Sequence, residues 1–102
     1  MFIIDITYLA PLPQIDAAMS DHMKFLNACY KNNLFIASGR KIPRTGGIIL
    51  AIGSSKEAIE ELMNQDPFVK LKLAEFKVTE FQTSQMSKEF RGCWSEGVRR
   101  RQ

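Results

Sequence analysis

The sequence predicts one α+β domain whose elements follow in the order βαββαβ. Short runs of β-branched and other apolar residues occur near positions 2–8, 34–38, 47–52 and 76–81, and such runs are typical of strands. Between them, two segments repeat apolar residues every three or four positions, which is the period of an amphipathic helix. A chain of 102 residues has room for one domain of this kind.

The first strand and the first helix are separated by a change of period near Pro13. Phe2 to Tyr8 reads as a strand, and the turn-like segment Ala10 to Pro13 closes it. One helix is expected from about Pro13 to the Asn32-Asn33 pair, with an apolar stripe formed by Ile15, Met19, His22, Leu26 and Cys29. The same reasoning assigns Cys29 and the methionines Met19, Met23 and Met63 to the core.

A hairpin follows the first helix. Leu34 to Ser38 reads as the second strand, Gly39 to Thr45 as a polar connection and Gly47 to Ile52 as an almost wholly apolar third strand. The order of these segments therefore predicts an antiparallel strand pair with a long loop.

Two cap signals predict the remaining helices. Ser54 and Glu57 have the spacing of a capping box and open the second long helix. Asp66 precedes Pro67 and is expected to cap a short third helix. Phe76 to Phe81 alternates in side-chain character and forms the last strand. No further periodic element is predicted after this strand.

Right-handed crossovers fold this order into a ferredoxin-like α+β domain: a four-stranded antiparallel sheet with two helices on one face, plus a short helix before the last strand. The first and third strands are largely apolar on both faces, whereas helices cover only one face. A homodimer that buries the second face is expected, and a C-terminal tail folded over that face is the alternative.

Composition excludes several classes of protein. Apolar residues make up 45% and charged residues 25% of the chain, which is globular composition. The formal charge of +3 falls entirely in residues 86–102, so the domain itself carries no electrostatic signal for nucleic acid or membrane. The third strand also lacks the basic and aromatic residues of RNA-recognition motifs.

Cysteine usage and the N-terminal residues bear on compartment and cofactors. Cys29 and Cys93 lack the spacing of a zinc or redox motif. No signal-peptide or membrane-spanning pattern is present, so a cytoplasmic protein without metal or cofactor is expected.

His22 and Asp66 are the candidate catalytic residues. His22 is the only histidine and lies on the apolar stripe of the first helix, where it is either a core histidine or a general acid or base. Asp66 is expected to act as a helix cap, yet its carboxylate has lone pairs left to orient the histidine.

The connection between the second and third strands is the candidate binding loop. Ser38, Gly39, Arg40, Arg44 and Thr45 combine hydroxyls, cations and flexible backbone, which suits a carboxylate or phosphate. A solvated hairpin loop is the alternative, since the loop matches neither the P-loop nor the dinucleotide-binding motif.

Four of these features together resemble the YciI-like family: His22, the Ser38-Gly39 pair, the Gly46-Gly47 pair and the Asp66-Pro67-Phe68 segment. The resemblance implies a dimeric ferredoxin-like fold of the muconolactone-isomerase type, with a His–Asp pair in a cleft. It adds Phe68 to Ser38 and Gly39 as substrate-binding residues. Many members have proline where this chain has Arg40, which favours a more anionic ligand. The domain then spans residues 1–83, and residues 84–102 form a basic C-terminal tail.

Two functions follow from these residues. The first is an enzyme that transfers protons on a small, anionic or ring-like substrate, with His22 as acid or base and Asp66 as its partner, in lyase, isomerase or hydrolase chemistry. The second is a non-catalytic, dimeric module that binds a small molecule in the same cleft.

Overall fold

A computed structural model of the chain describes residues 1–91. Of the features discussed above, Cys93 and the part of the basic tail in residues 92–102 lie outside the described residues. No helix within residues 1–91 has the length and apolar character needed to span a bilayer.

The described elements reproduce the predicted order with one additional helix. They are β1 (Phe2–Tyr8), α1 (Leu12–Ala17), α2 (Met19–Lys31), β2 (Phe35–Arg40), β3 (Gly46–Ala51), α3 (Lys56–Met63), α4 (Pro67–Lys70) and β4 (Ala74–Glu80).

The four strands form one sheet in the order β2-β3-β1-β4, and every neighbouring pair is antiparallel. In the central strand, Ile4 pairs with Ile49 on one side and Val78 on the other. This topology confirms the predicted ferredoxin-like α+β fold. It also places the end of β1 next to the start of β3, which is where the candidate binding loop between β2 and β3 ends.

The core lies between one face of the sheet and the helices. Alternate residues of β1 point into it, because side chains on a strand alternate between faces. The strands contribute Phe2, Ile4, Ile6, Phe35, Ile49, Ala51, Ala74 and Val78 to this core, and the helices contribute Ile15, Leu26, Cys29, Ile59, Met63 and Phe68. Cys29 and Met63 are buried as predicted and Met19 is half-buried, but the assignment of Met23 to the core is wrong, since 44% of it is exposed.

The helices differ from the prediction in three places. The expected single helix is split at Ala18 into α1 and α2, although alanine is the best helix former, so helix propensity does not account for the break. Ser55, rather than Ser54, caps α3, and its hydroxyl accepts a hydrogen bond from the Ala58 N–H. Residues 88–91 are helical where no element was expected, and Ser87 accepts from the Phe90 N–H at their start.

The helix-free face of the sheet is only half apolar. Ile3 and Ile48 are 38% and 39% exposed there, and Leu50 lies beside them in register. Strand β4 adds polar residues to the same face, because Lys77 pairs with Asp5 and Thr79 with Ile3. Ile3, Ile48 and Leu50 therefore form an apolar patch on β1 and β3 of this face, and the homodimer stays a prediction.

Gly46 fixes the approach of β3 to β1. A Cβ atom placed on Gly46 would lie 1.8 Å from the Ile6 carbonyl oxygen and 2.8 Å from its carbon. Such contacts are impossible without moving backbone, so only glycine fits at this position. Gly46, one of the two glycines that carry the family resemblance, thus has a structural role.

Candidate functional site

A cavity of about 230 Å³ opens between α2 and the sheet, beside the loop that joins β2 to β3. Helix α2 contributes Met19, His22, Met23 and Leu26 to its lining. The sheet contributes Ile6, Tyr8, Ser38, Gly39 and Arg40, among others. The cavity therefore joins an apolar interior to a polar rim, which is the usual character of a small-molecule site.

His22, which lines this cavity, contacts Asp66, which does not. The imidazole Nδ1 lies 2.8 Å from the Asp66 Oδ1, although 44 residues separate the two positions. Asp66 is wholly buried and His22 is only 8% exposed. The predicted pair is thus within hydrogen-bond distance in a low-dielectric setting, where such a bond is strong.

Phe68 and Asp66 hold the imidazole in place. Phe68 stacks on one ring face, with centroids 3.9 Å apart and planes 7° from parallel. The Asp66 Oδ1 that lies against His22 Nδ1 also accepts from the Phe68 N–H. A carboxylate in this position favours the tautomer of the neutral ring that carries its proton on Nδ1.

Asp66 holds the dyad and caps a helix with the same oxygen. Its Oδ1 accepts from the Phe68 N–H at 3.1 Å, at the start of α4, as the Asp-Pro sequence predicted. The second oxygen, Oδ2, is buried without a hydrogen-bond partner among residues 1–91. A buried carboxylate is costly, so the hydrogen bonds from His22 and Phe68 are what make this placement tolerable.

The charge of the Asp66 carboxylate affects the pKa of the Cys29 thiol. Burial, and to a lesser extent the negative charge of Asp66, raise the pKa of the Cys29 thiol from 9.0 to about 11. The thiol is therefore neutral at physiological pH and unreactive. Its role is packing, as the helix stripe predicted.

The three cations of the candidate binding loop have different positions. Arg44 forms an ion pair with Asp16 on α1, and this hydrogen bond raises the pKa of Arg44 and lowers the pKa of Asp16. Lys41 lies 2.6 Å from Asp5, on the helix-free face. Arg40 lines the cavity. Of the predicted loop cations, the structure therefore brings only Arg40 to the site.

The other predicted binding residues divide in the same way. Ser38 and Gly39 line the cavity, and the Ser38 hydroxyl lies 2.6 Å from that of Tyr30. Thr45 does not line it, and its hydroxyl donates to the Pro43 carbonyl at 3.5 Å. Phe68 is 1% exposed, so it supports His22 from behind.

Tyr8 is a site residue that was not predicted. It lines the cavity beside His22, and its ring meets Phe68 edge to face at 6.0 Å. A signal was available, because Tyr8 continues the inward-facing series of Phe2, Ile4 and Ile6 at the end of β1. The polar tip of a tyrosine at that position marks where the core gives way to the cleft.

Within the described residues, two other surface depressions lack histidine and cysteine side chains. A hollow of about 770 Å³ lies along the C-terminal segment between Met1 and Arg91, and one of about 440 Å³ lies between Asn32 and Leu62. Within residues 1–91, no group of three or more His, Cys, Asp or Glu side chains is placed to hold a metal ion.

The fold is that of a small ferredoxin-like α+β protein, and a buried His–Asp contact lies beside a cavity that the imidazole lines. A family model described as the YCII-related domain matches residues 1–82, and the chain therefore belongs to the YCII-related family. No curated protein matches the sequence.

A solved structure shares the fold. It is the 5-chloro-2-hydroxyhydroquinone dehydrochlorinase of Burkholderia phenoliruptrix AC1100 in complex with 2,5-dihydroxybenzoquinone. The TM-score is 0.68 at 16% identity, and the match covers 82% of this chain and 96% of that one. At this identity the similarity establishes the architecture alone.

Proposed function

We propose that this protein is a small-molecule enzyme in which His22 acts as general base and acid and Asp66 orients and stabilises it. The observation that carries the proposal is the 2.8 Å contact between His22 Nδ1 and Asp66 Oδ1 beside a cavity that the imidazole lines. Proton transfer by a positioned side chain accelerates reactions by roughly 10²–10⁴-fold.

The division of labour follows from the two ring nitrogens. Nε2 takes a proton from a ligand C–H or O–H in the cavity, and Asp66 stabilises the imidazolium that forms. The proton then returns to another atom of the ligand or to its leaving group. Stacking on Phe68 fixes the ring plane, so the transfer needs little reorganisation. This chemistry fits a lyase, an isomerase or a hydrolase.

The size of the cavity supports a ring-shaped substrate. An apolar cavity of roughly 150 Å³ is enough for a benzene molecule, and about 230 Å³ leaves room for substituents. The dehydrochlorinase that shares this fold was solved with 2,5-dihydroxybenzoquinone. We therefore infer that a hydroxylated or anionic single-ring molecule is the substrate.

A non-catalytic binding module is the second candidate. One observation favours it: Asp66 already has a complete structural duty as the cap of α4, and a buried histidine can serve as its partner without any chemistry. A homodimer and a cytoplasmic location are expected under either function, and both stay predictions.

Hydrogen exchange separates the two functions without knowledge of the product. The protein is incubated in D₂O with hydroxyhydroquinone or with 2,5-dihydroxybenzoquinone, and loss of the ring-proton signals is followed by NMR. An enzyme of the proposed kind exchanges a ring proton faster than buffer does, and His22→Gln abolishes the excess. Saturable binding with exchange at the buffer rate would rule out the general base and favour the binding module.

A further inference from the structure

The charges at the rim of the cavity do not cancel. Arg40 and Arg44 lie on the helix side of the loop, and Asp16 is the carboxylate that approaches them: it bonds to Arg44 and is attracted by Arg40. Asp66 is buried behind His22 and already bonded to it. Arg44 and Asp16 form an ion pair and do not line the cavity, whereas Arg40 lines it and leaves one positive charge there.

Strand register explains why this charge belongs to Arg40. Ser38 pairs with Ile49 and Arg40 with Gly47, and alternate residues of a strand share a face. Ile49 is buried under the helices, so Ser38 and Arg40 both lie on the cavity side. Lys41 lies on the opposite face with Asp5.

Arg40 is also without a fixed partner. It forms no ion pair with a carboxylate of residues 1–91, whereas Lys41 and Arg44 each have one. A guanidinium that lines a cavity and is not held in an ion pair is suited to bind an anion through two parallel hydrogen bonds.

We propose that Arg40 makes this site selective for a ligand with one negative charge, a ring carboxylate or a phenolate, held at the rim while the ring extends inward to His22. The proposal rests on the ligand cavity of the proposed function and assigns its specificity. The inner walls suit the ring, because Met19, Met23 and Leu26 present an apolar and adaptable surface. A dianion would leave its second charge uncompensated.

The test uses the one histidine of the chain as an NMR reporter. Labelled protein is titrated with 4-hydroxybenzoate and with its neutral counterpart 4-hydroxybenzamide, and the shift of the His22 ring protons gives both affinities. The titrations are repeated for Arg40→Gln and for the matched control Lys41→Gln, which removes the neighbouring cation from the other face of the sheet.

The wild type should bind the benzoate roughly tenfold or more tightly than the benzamide, as a charge-assisted bidentate bond provides. Arg40→Gln should remove this preference and Lys41→Gln should keep it. Equal affinities in the wild type would overturn the anion site and leave the proposed enzyme standing. A preference that survives Arg40→Gln would overturn the assignment to Arg40. If neither probe shifts His22, the cavity is not the ligand site, and the proposed function fails with it.

Discussion

Replacing Asp66 with alanine tests whether the dyad is more than a helix cap. The substitution removes the acceptor for the Phe68 N–H, at 3.1 Å, and the acceptor for His22 Nδ1, at 2.8 Å. Ser55→Ala is the matched control, because Ser55 caps α3 by accepting from the Ala58 N–H at the same 3.1 Å and contacts no histidine.

The hydrogen bonds that each substitution removes give the expected change in the free energy of unfolding. Loss of a cap costs about 1 kcal/mol, which is the expected effect of Ser55→Ala on the free energy of unfolding. Asp66→Ala also leaves a buried imidazole donor unpaired, at a cost of about 1–3 kcal/mol. Removing the unpartnered Oδ2 relieves desolvation and offsets part of this. Asp66→Ala should therefore destabilise the fold by about 2–3 kcal/mol in total.

Urea denaturation followed by circular dichroism measures both variants. A double-mutant cycle with His22→Phe, which keeps a ring to stack on Phe68, isolates the coupling between His22 and Asp66. We expect a favourable coupling of about 1–2 kcal/mol. The reasoning is refuted if Asp66→Ala costs no more than Ser55→Ala and the coupling is zero.

Three further predictions concern packing, the buried thiol and assembly. Gly46→Ala should destabilise the fold by about 2 kcal/mol or more, because its Cβ would lie 1.8 Å from the Ile6 carbonyl oxygen. The control Gly39→Ala should change the unfolding midpoint little, because a Cβ there would have no atom within 4 Å. Similar midpoints for the two variants would contradict this prediction. In a Cys93→Ser variant at pH 9, iodoacetamide should modify Cys29 roughly tenfold or more slowly in the native protein than in the urea-unfolded protein. The reason is that the folded structure raises the pKa of the thiol to about 11, and the thiolate is the reactive form. Equal rates would refute this prediction. Light scattering at micromolar concentration should give twice the chain mass, and a persistent monomer would end the dimer hypothesis.

Much of the fold was predictable because the period of apolar residues changes where the elements change. Asp66 was predicted as a cap from the Asp-Pro sequence alone, and the structure confirms it. The capping-box spacing to Glu57 predicted Ser54 as the cap of α3, and this was wrong, because the adjacent Ser55 caps the helix. The break at Ala18 could not be predicted, because alanine is a strong helix former and gives no local signal for a helix end.

The site was predictable only in part, because its ion pairs join distant residues. The sequence and the family resemblance led to His22, Asp66, Ser38, Gly39 and Arg40, which the structure gathers at or behind the cavity. No local pattern shows that two of the three loop cations form ion pairs with distant carboxylates, Arg44 with Asp16 on α1 and Lys41 with Asp5 on β1. Tertiary pairing of this kind is set by the packed fold, so the loop looked more uniformly anion-binding than it is.

The tautomer of His22 is the most direct test of the central claim. The chain has one histidine, so its two ring nitrogens can be assigned without ambiguity by long-range ¹H–¹⁵N NMR of uniformly labelled protein. We predict that the neutral ring carries its proton on Nδ1, bonded to Asp66, and shows an unprotonated Nε2. A neutral ring protonated on Nε2 would contradict the account, since the nitrogen facing the cavity could then accept no proton.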